Sequence, residues 1–172
     1  MTQFCIVVAD DTRARLFTIE QPNIDGSLSG PRLAERIDMA NPEGRVSGFG
    51  SFTSSDGRAR GGVTSSAHGF ADHRPGHSEE IRTRFAQRIA TVTNEFIQQH
   101  ALGKIVWLVA PQMLGALREQ AEEILPRNVE RVEFAEELSW HSVPSIERAL
   151  LRHGLLPERV PTGSYRPHGQ EP

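Results

Sequence analysis

A polar stretch from Asn41 to Ser78 divides this chain into two parts that each have the sequence of folded protein. The stretch has 38 residues, among them eight glycines and three of the chain's seven histidines. Its few large apolar residues follow neither the period of a strand nor that of a helix. An insert of this length is uncommon in a compact domain and is typical of a working loop or a linker. We therefore predict a long flexible loop over residues 41–78 and expect function there first.

The rest of the chain indicates one domain. With 172 residues the chain is long enough to bury a core without metals or disulfides. Its single cysteine, Cys5, lies in an apolar run, which predicts a buried thiol in a reducing compartment. The N-terminus has neither a basic leader nor a long apolar run, so we expect a cytoplasmic protein that does not contact a membrane. The last residues are rich in proline and glycine, which predicts a domain over residues 1–153 and a loosely ordered tail over 154–172.

The residues before the long loop predict three strands. Residues 4–9 form a continuous apolar run, and residues 14–20 alternate between apolar and polar after a turn at Asp10-Asp11-Thr12. These two segments are expected to form an antiparallel hairpin. Residues 33–39 are expected to form the third strand, although their first half also suits a helix.

The residues after the loop predict alternating helices and strands. Ser78 is expected to cap a helix that ends near His100, with Gly103 as the residue after its C-terminus. The stripe expected to face the core consists of Ile81, Phe85, Ile89, Val92 and Phe96. Further elements are predicted over residues 104–110 (strand), from Pro111 (helix), over 129–134 (strand) and from Ser142 or Val143 (helix). The fold class is therefore α/β (α+β), a single domain with a mixed sheet and helices packed on it.

Positive charge in and beside the loop is carried by arginine alone. Residues 45–88 contain seven arginines and no lysine, although the whole chain has a net charge of -3. Arginine suits planar recognition of phosphate or carboxylate groups. A solvated loop of mixed charge explains the same composition, and the sequence leaves both interpretations open.

Four segments together resemble the bacterial host-attachment family, whose members are described as required for attachment to host cells. They are VVADDTRARLF, NPEGR, RFAQRIA and VWLVAPQMLGALRE, in that order, within residues 4–153. That family is similar to the middle domain of archaeal and eukaryotic peptide-chain release factors and of Pelota. The resemblance implies an RNase H-like sheet, with the long loop at the place where release factors carry a glycine-glycine-glutamine tip.

The resemblance also suggests site residues. Gly61 and Gly62 match the paired glycines of the tip and are the candidate catalytic residues, but Val63 stands where the glutamine belongs. The helix after the loop matches the release-factor helix in its arginines and phenylalanine. The candidate RNA-binding residues are Arg58, Arg60, Arg74, Arg82 and Arg84. Backbone donors beside paired glycines can stabilise an oxyanion, so peptidyl-tRNA ester hydrolysis is the enzymatic alternative.

Other candidate sites carry weaker signals. His68, His73 and His77 have spacings that suit a zinc or nickel site, but a glycine-rich loop does not hold ligands rigidly, so solvated histidines are the default interpretation. Asp10 and Asp11 end the first strand, where RNase H-like nucleases hold a metal. Two-metal chemistry needs further carboxylates, for which Glu133 and Glu136 are the only strand-borne candidates, so a hairpin turn is favoured. Arg13 and Arg15 flank this turn and are expected at the surface.

We predict from these observations a binding domain that meets RNA, with the ribosome or tRNA as partner, through the glycine- and arginine-rich loop. No cofactor is expected. Peptidyl-tRNA hydrolysis through Gly61-Gly62 is the second hypothesis, and an indirect role in attachment to host cells is the third. The sequence leaves the oligomeric state open.

Overall fold

The computed structural model describes residues 4–20, 28–44, 75–157 and 160–161. The strands are β1 (Cys5–Ala9), β2 (Arg13–Glu20), β3 (Leu28–Ser29), β4 (Arg32–Ala40), β5 (Lys104–Val109), β6 (Glu130–Ala135) and β7 (Val160–Pro161). The helices are α1 (Pro75–Gln99), α2 (Pro111–Ile124) and α3 (Val143–Arg152). The described residues thus form a single mixed α/β fold, as the sequence predicts.

Five strands form one mixed sheet in the order β4-β2-β1-β5-β6. The hairpin β1–β2 and the pair β2–β4 are antiparallel, whereas β5 pairs with β1 and β6 with β5 in parallel. A parallel pair needs a crossover, and α1 and α2 supply the two crossovers. Strand β1 is therefore the centre of the sheet, with antiparallel strands on one side and parallel strands on the other.

Helices cover both faces of this sheet. Alternate residues of β1 point to opposite sides, and Val7 packs with α1 and α2 while Val8 packs with α3. Strands β1 and β5 are buried on both faces, which explains their continuous apolar sequences. Cys5 is fully buried, as predicted, and burial raises the pKa of its thiol to about 12.

Helix α1 matches its predicted stripe and its predicted end near His100, but not its predicted N-terminal cap. Four residues of the stripe are buried, namely Ile81, Phe85, Ile89 and Phe96, and the predicted i,i+4 ion pair between Glu80 and Arg84 forms at 2.9 Å. The helix begins at Pro75, so the prediction of Ser78 as its cap is wrong. Proline is favoured in the first turn of a helix, because a backbone N–H at that place has no carbonyl partner within the helix. Residues 75–78 of the predicted loop are therefore helical, and residues 45–74 lie outside the described part.

The other end of α1 is closed by Ala101 rather than by Gly103. Ala101 has a φ of 51° and is the one non-glycine residue with positive φ among those described. The Leu102 N–H donates to the carbonyl of Ile97 at 2.9 Å, which is the six-to-one hydrogen bond of a Schellman turn. Gly103 was predicted to be the left-handed residue that follows the helix. This prediction is wrong because Ala101, two residues earlier, has that role.

Two short strands were not predicted. Strands β3 and β7 pair in an antiparallel two-stranded sheet, and Leu156 is buried against the α3 side of the core. The division of the chain at residue 153 stays a prediction, although residues beyond it contact the fold. Within the described ranges, no helix has both the length and the apolar character that crossing a membrane requires.

Replacing Ala101 by glycine is expected to stabilise the protein. A left-handed conformation costs an alanine about 1–2 kcal/mol, and part of the gain is lost because glycine is freer in the unfolded chain. We predict that Ala101→Gly raises the free energy of unfolding by roughly 0.5–1 kcal/mol, measured by urea denaturation.

Gly103→Ala is the matched control, since nothing lies within 4 Å of the Cβ it would add. We expect it to be neutral or slightly stabilising. Destabilisation by Gly103→Ala together with no gain from Ala101→Gly would contradict the assignment of the helix end.

Candidate functional site

The carboxyl ends of the three parallel strands lie at one edge of the sheet, and polar residues collect there. Strands β1, β5 and β6 end in register at Ala9, Val109 and Ala135. The turn after β1, the turn after β4 and the loop from β6 to α3 all start at this edge. We call these three segments, residues 10–12, 41–44 and 136–142, the carboxyl edge. Ligands of open α/β sheets bind outside the carboxyl ends of such strands.

Asp10 joins two segments of the carboxyl edge. Its side chain is 5% exposed, and its Oδ1 accepts hydrogen bonds from the Thr12 N–H at 2.6 Å, the Thr12 hydroxyl at 2.7 Å and the Arg13 N–H at 2.8 Å. The buried Ser139 hydroxyl donates to the other oxygen, Oδ2. Both carboxylate oxygens are therefore used within the protein. The arrangement supports the hairpin-turn interpretation of Asp10 and ties the β1–β2 turn to the β6–α3 loop.

Two arginines of β2, Arg13 and Arg15, donate hydrogen bonds to the loop from β6 to α3. Arg15 is buried, with its side chain 6% exposed, and it forms a two-point ion pair with Glu35 at 2.9 and 2.7 Å. It also donates to the His141 carbonyl at 2.7 Å and, more weakly, to the Ser139 carbonyl at 3.4 Å. The expectation that Arg15 lies at the surface is wrong, because the β6–α3 loop covers it. A buried guanidinium needs such compensation on all sides.

Arg13 forms a second two-point ion pair on the same face, with Asp38 at 2.8 and 2.7 Å. Hydrogen bonds from Arg13 hold the pKa of Asp38 below its usual value, and the pair in turn raises the pKa of Arg13. A carboxylate with a lowered pKa stabilises the fold above its unfolded pKa, and this contribution is lost as the pH falls through the folded pKa. The pair is therefore intact at neutral pH.

A β-bulge in β4 lets both acids face the same side of the sheet. Leu16 pairs with Ile37 and Phe17 pairs with Glu35, so Arg36 is an extra residue in β4. Glu35 and Asp38 are three positions apart and would point to opposite faces of a regular strand. The extra residue at the bulge shifts this alternation by one position. Both carboxylates therefore lie on the face that carries Arg13 and Arg15.

Asp11 joins the turn after β4 to helix α1. Its carboxylate accepts from Arg82 at 2.9 and 3.3 Å, and its carbonyl accepts from the Asn41 side-chain amide at 2.8 Å. Gly44 packs so closely that a Cβ added there would lie 2.9 Å from the Asp11 carbonyl oxygen. The two chain segments that flank residues 45–74 are thus both fixed to Asp11.

A second bridge runs directly between these flanking segments. The Arg84 guanidinium contacts Glu43 as well as Glu80. Arg82 and Arg84, predicted to bind RNA, are therefore held by carboxylates of the protein itself, with 26% and 47% of their side chains exposed. Their assignment as RNA contacts stays a prediction, and so do those of Arg58, Arg60 and Arg74, which lie outside the described residues.

The remaining predicted site residues are not brought together by the described part of the chain. Gly61, Gly62, His68 and His73 lie outside it, and His77 is exposed near the start of α1. Within residues 4–20, 28–44, 75–157 and 160–161, no three histidine, cysteine or acidic side chains have positions that suit a metal ion.

Trp140 is the main feature of the carboxyl edge that the sequence did not reveal. Its side chain is 64% exposed, more than any other large apolar residue among those described. The indole N–H donates to the Thr12 hydroxyl at 3.1 Å, and the Arg13 guanidinium carbon lies 4.9 Å from the ring centroid. A tryptophan in a short polar loop, ELSWHS, was the available signal, but its exposure depends on contacts with the distant β1–β2 turn.

The sequence model of one protein family matches residues 5–150, and that family is described as "Protein required for attachment to host cells". Among curated proteins, none matches this chain. Ten chains of solved structures do match. They include the type II variant of the Ppx/GppA phosphatase from Aquifex aeolicus, with 10% identity and a TM-score of 0.39 over 77% of this chain and 36% of that chain. This chain thus spans about a third of that protein, and no assignment rests on the similarity.

Gly44→Ala is expected to disturb the junction at Asp11. The added Cβ would approach the Asp11 carbonyl oxygen to 2.9 Å and the Asn41 side chain to 3.3 Å. Relief requires a backbone shift, so we predict a loss of about 1–3 kcal/mol in the free energy of unfolding, measured by chemical denaturation.

Gly115→Ala in α2 serves as the control, because its added Cβ has no neighbour within 4 Å. Removing a glycine from a helix interior should stabilise the protein by roughly 0.5–1 kcal/mol. Equal effects of the two substitutions would show that Gly44 has no special packing role.

Proposed function

This chain belongs to the family described as proteins required for attachment to host cells, and we propose that it is an RNA-binding domain with the ribosome as its partner. Residues 45–74 contact RNA in this proposal, and the carboxyl edge holds them in place. One observation carries the proposal. The segments on either side of residues 45–74 are both fixed to Asp11, and the next residue, Thr12, accepts a hydrogen bond from the exposed Trp140.

The distribution of charge supports this division of roles. Residues 45–74 contain four arginines, two aspartates and no lysine, so they are positive in a chain whose total charge is -3. The four arginines beside the carboxyl edge, by contrast, are all paired with carboxylates, namely Arg13, Arg15, Arg82 and Arg84. Attraction to phosphate therefore falls mainly on Arg45, Arg58, Arg60 and Arg74. Arg82 and Arg84 already donate hydrogen bonds to Asp11 and Glu43, which offset their positive charge.

The start of α1 supports an extended contact surface. Ile81 is the first buried residue of the helix, and Gly76, His77, Glu79 and Glu80 are exposed. From Pro75 to Arg82 a helix rises about 10 Å. Almost two turns of α1 therefore extend past the contact with Asp11.

The sheet arrangement is part of the same proposal. An RNase H-like arrangement, as in the middle domain of release factors, has three antiparallel strands followed by two parallel ones. The order β4-β2-β1-β5-β6, with β1 between the two kinds of strand, supports this interpretation. A ribosome-bound protein acts in the cytoplasm, so the proposal makes the role in attachment to host cells an indirect one.

Peptidyl-tRNA ester hydrolysis through Gly61-Gly62 is the enzymatic alternative. It requires that a tip without the glutamine still activates water, and no described residue favours it. If this protein releases labelled peptide from stalled ribosomes, and replacing Gly61 and Gly62 abolishes that release, then its function is hydrolysis rather than binding alone.

Removing the arginines of the segment is expected to weaken binding in a salt-dependent way. We predict that the triple variant with Arg58, Arg60 and Arg74 changed to alanine sediments less with ribosomes at low salt. Its affinity for single-stranded RNA should depend less on salt, because each lost phosphate contact lowers the slope of log K against log salt by about 0.7 and three contacts by about 2.

The control triple variant changes Arg118, Arg127 and Arg131, which are exposed and lie on α2, after it and on β6. It removes the same charge away from the carboxyl edge and should keep the slope of the unaltered protein. Absence of the unaltered chain from the ribosomal pellet at both low and high salt would refute the proposed function.

A further inference from the structure

Trp140 is held rigidly although most of its side chain faces solvent. Its indole N–H donates to the Thr12 hydroxyl at 3.1 Å, and the Thr12 hydroxyl donates to Asp10 at 2.7 Å. Asp10 in turn accepts from Ser139, the residue just before Trp140. The ring is thus fixed by a closed chain of hydrogen bonds that runs through a buried carboxylate.

Arg13 fixes the ring from one face. Its guanidinium carbon lies 4.9 Å from the ring centroid, and the same guanidinium is held by two hydrogen bonds to Asp38. The exposure of 64% leaves the rest of the ring to solvent. A side chain that is already ordered loses little conformational entropy when it binds, which is the property of an aromatic anchor.

The surroundings of Trp140 suit a planar ligand better than a protein surface. A stable protein interface buries about 800 Å² on each partner and needs a contiguous apolar centre. Trp140 is the one exposed large apolar residue among those described, and its neighbours Glu137, His141 and Ser142 are polar. A flat face among hydrogen-bonding groups matches an unpaired nucleobase, which combines a π face with polar edges.

We propose that the free face of Trp140 is a stacking site for an unpaired base of single-stranded RNA. This inference rests on the proposed function and adds to it the place where a base is held. In this arrangement Trp140 stacks one base, and Arg13 supports the ring from the opposite side.

Fluorescence tests the site directly because the two tryptophans differ. Trp107 is 1% exposed, so only Trp140 can meet a ligand from solution. The probe is a fluorescein-labelled oligoadenylate of twelve nucleotides, whose anisotropy reports binding to the full-length chain. The unlabelled oligonucleotide reports stacking through quenching of tryptophan emission. An abasic oligonucleotide with the same phosphates is the matched ligand control.

The expected result has three parts. Oligoadenylate quenches tryptophan emission of the unaltered chain, the abasic oligonucleotide does not, and Trp140→Ala weakens binding about 5- to 150-fold, as the loss of one stacked base predicts. Trp140→Phe keeps an aromatic face and should bind more tightly than Trp140→Ala. In the Trp107→Phe variant the quenching should persist, since Trp140 is its source. Circular dichroism confirms that each variant is folded.

Two results would overturn the inference, and they differ in whether the proposed RNA binding survives. If oligoadenylate binds equally to the unaltered chain and to Trp140→Ala, without quenching, the stacking site is refuted while RNA binding stands. If anisotropy shows no binding of either oligonucleotide to the unaltered chain, the proposed function fails together with the site.

Discussion

The Asp10 carboxylate is the interaction on which the carboxyl edge depends. It is buried at the end of the central strand, and its two oxygens accept from the turn after β1 and from Ser139, which is 129 residues further along the chain. A buried carboxylate is costly unless every acceptor site has a donor, so this geometry fixes both segments together. The position of the exposed Trp140 depends on Asp10, which fixes Ser139 on one side and Thr12 on the other, and on Arg13, which packs against the ring.

The charged side chains around this carboxylate mainly hold segments of the protein together. Arg13 and Arg15 hold the β6–α3 loop and two acids of β4, and Arg82 and Arg84 hold the flanks of residues 45–74. Four arginines near a candidate nucleic-acid site would suggest a phosphate surface if only their positions were known. Their carboxylate partners show instead that these arginines are already used within the protein. The carboxyl edge and the side chains paired beside it contain more carboxylates than arginines. Under the proposed function, affinity for phosphate therefore has to come from residues 45–74.

Much of the fold could be predicted from local patterns, because apolar runs and helical stripes directly reflect burial. The strands at Cys5–Ala9 and Lys104–Val109 and the buried stripe of α1 are examples. The start of α1 and the residue that closes its other end were missed. Local preference was overridden at Ala101, which is left-handed without being glycine. The site was missed for another reason. The burial of Arg15 and the exposure of Trp140 depend on the β6–α3 loop crossing to β2, and the pairing of Arg15 with Glu35 depends on the bulge at Arg36.

Photocrosslinking tests most directly the claim that RNA meets this protein at the carboxyl edge. Single-stranded RNA containing 4-thiouridine would be irradiated with the full-length chain, and the crosslinked tryptic peptides would be identified by mass spectrometry. The account predicts crosslinks in the peptide of residues 132–148, which carries Trp140, and in peptides from residues 45–74. Crosslinks confined to the end of α2 and the start of β6, at the opposite edge of the sheet, would contradict it, and so would their complete absence at low salt.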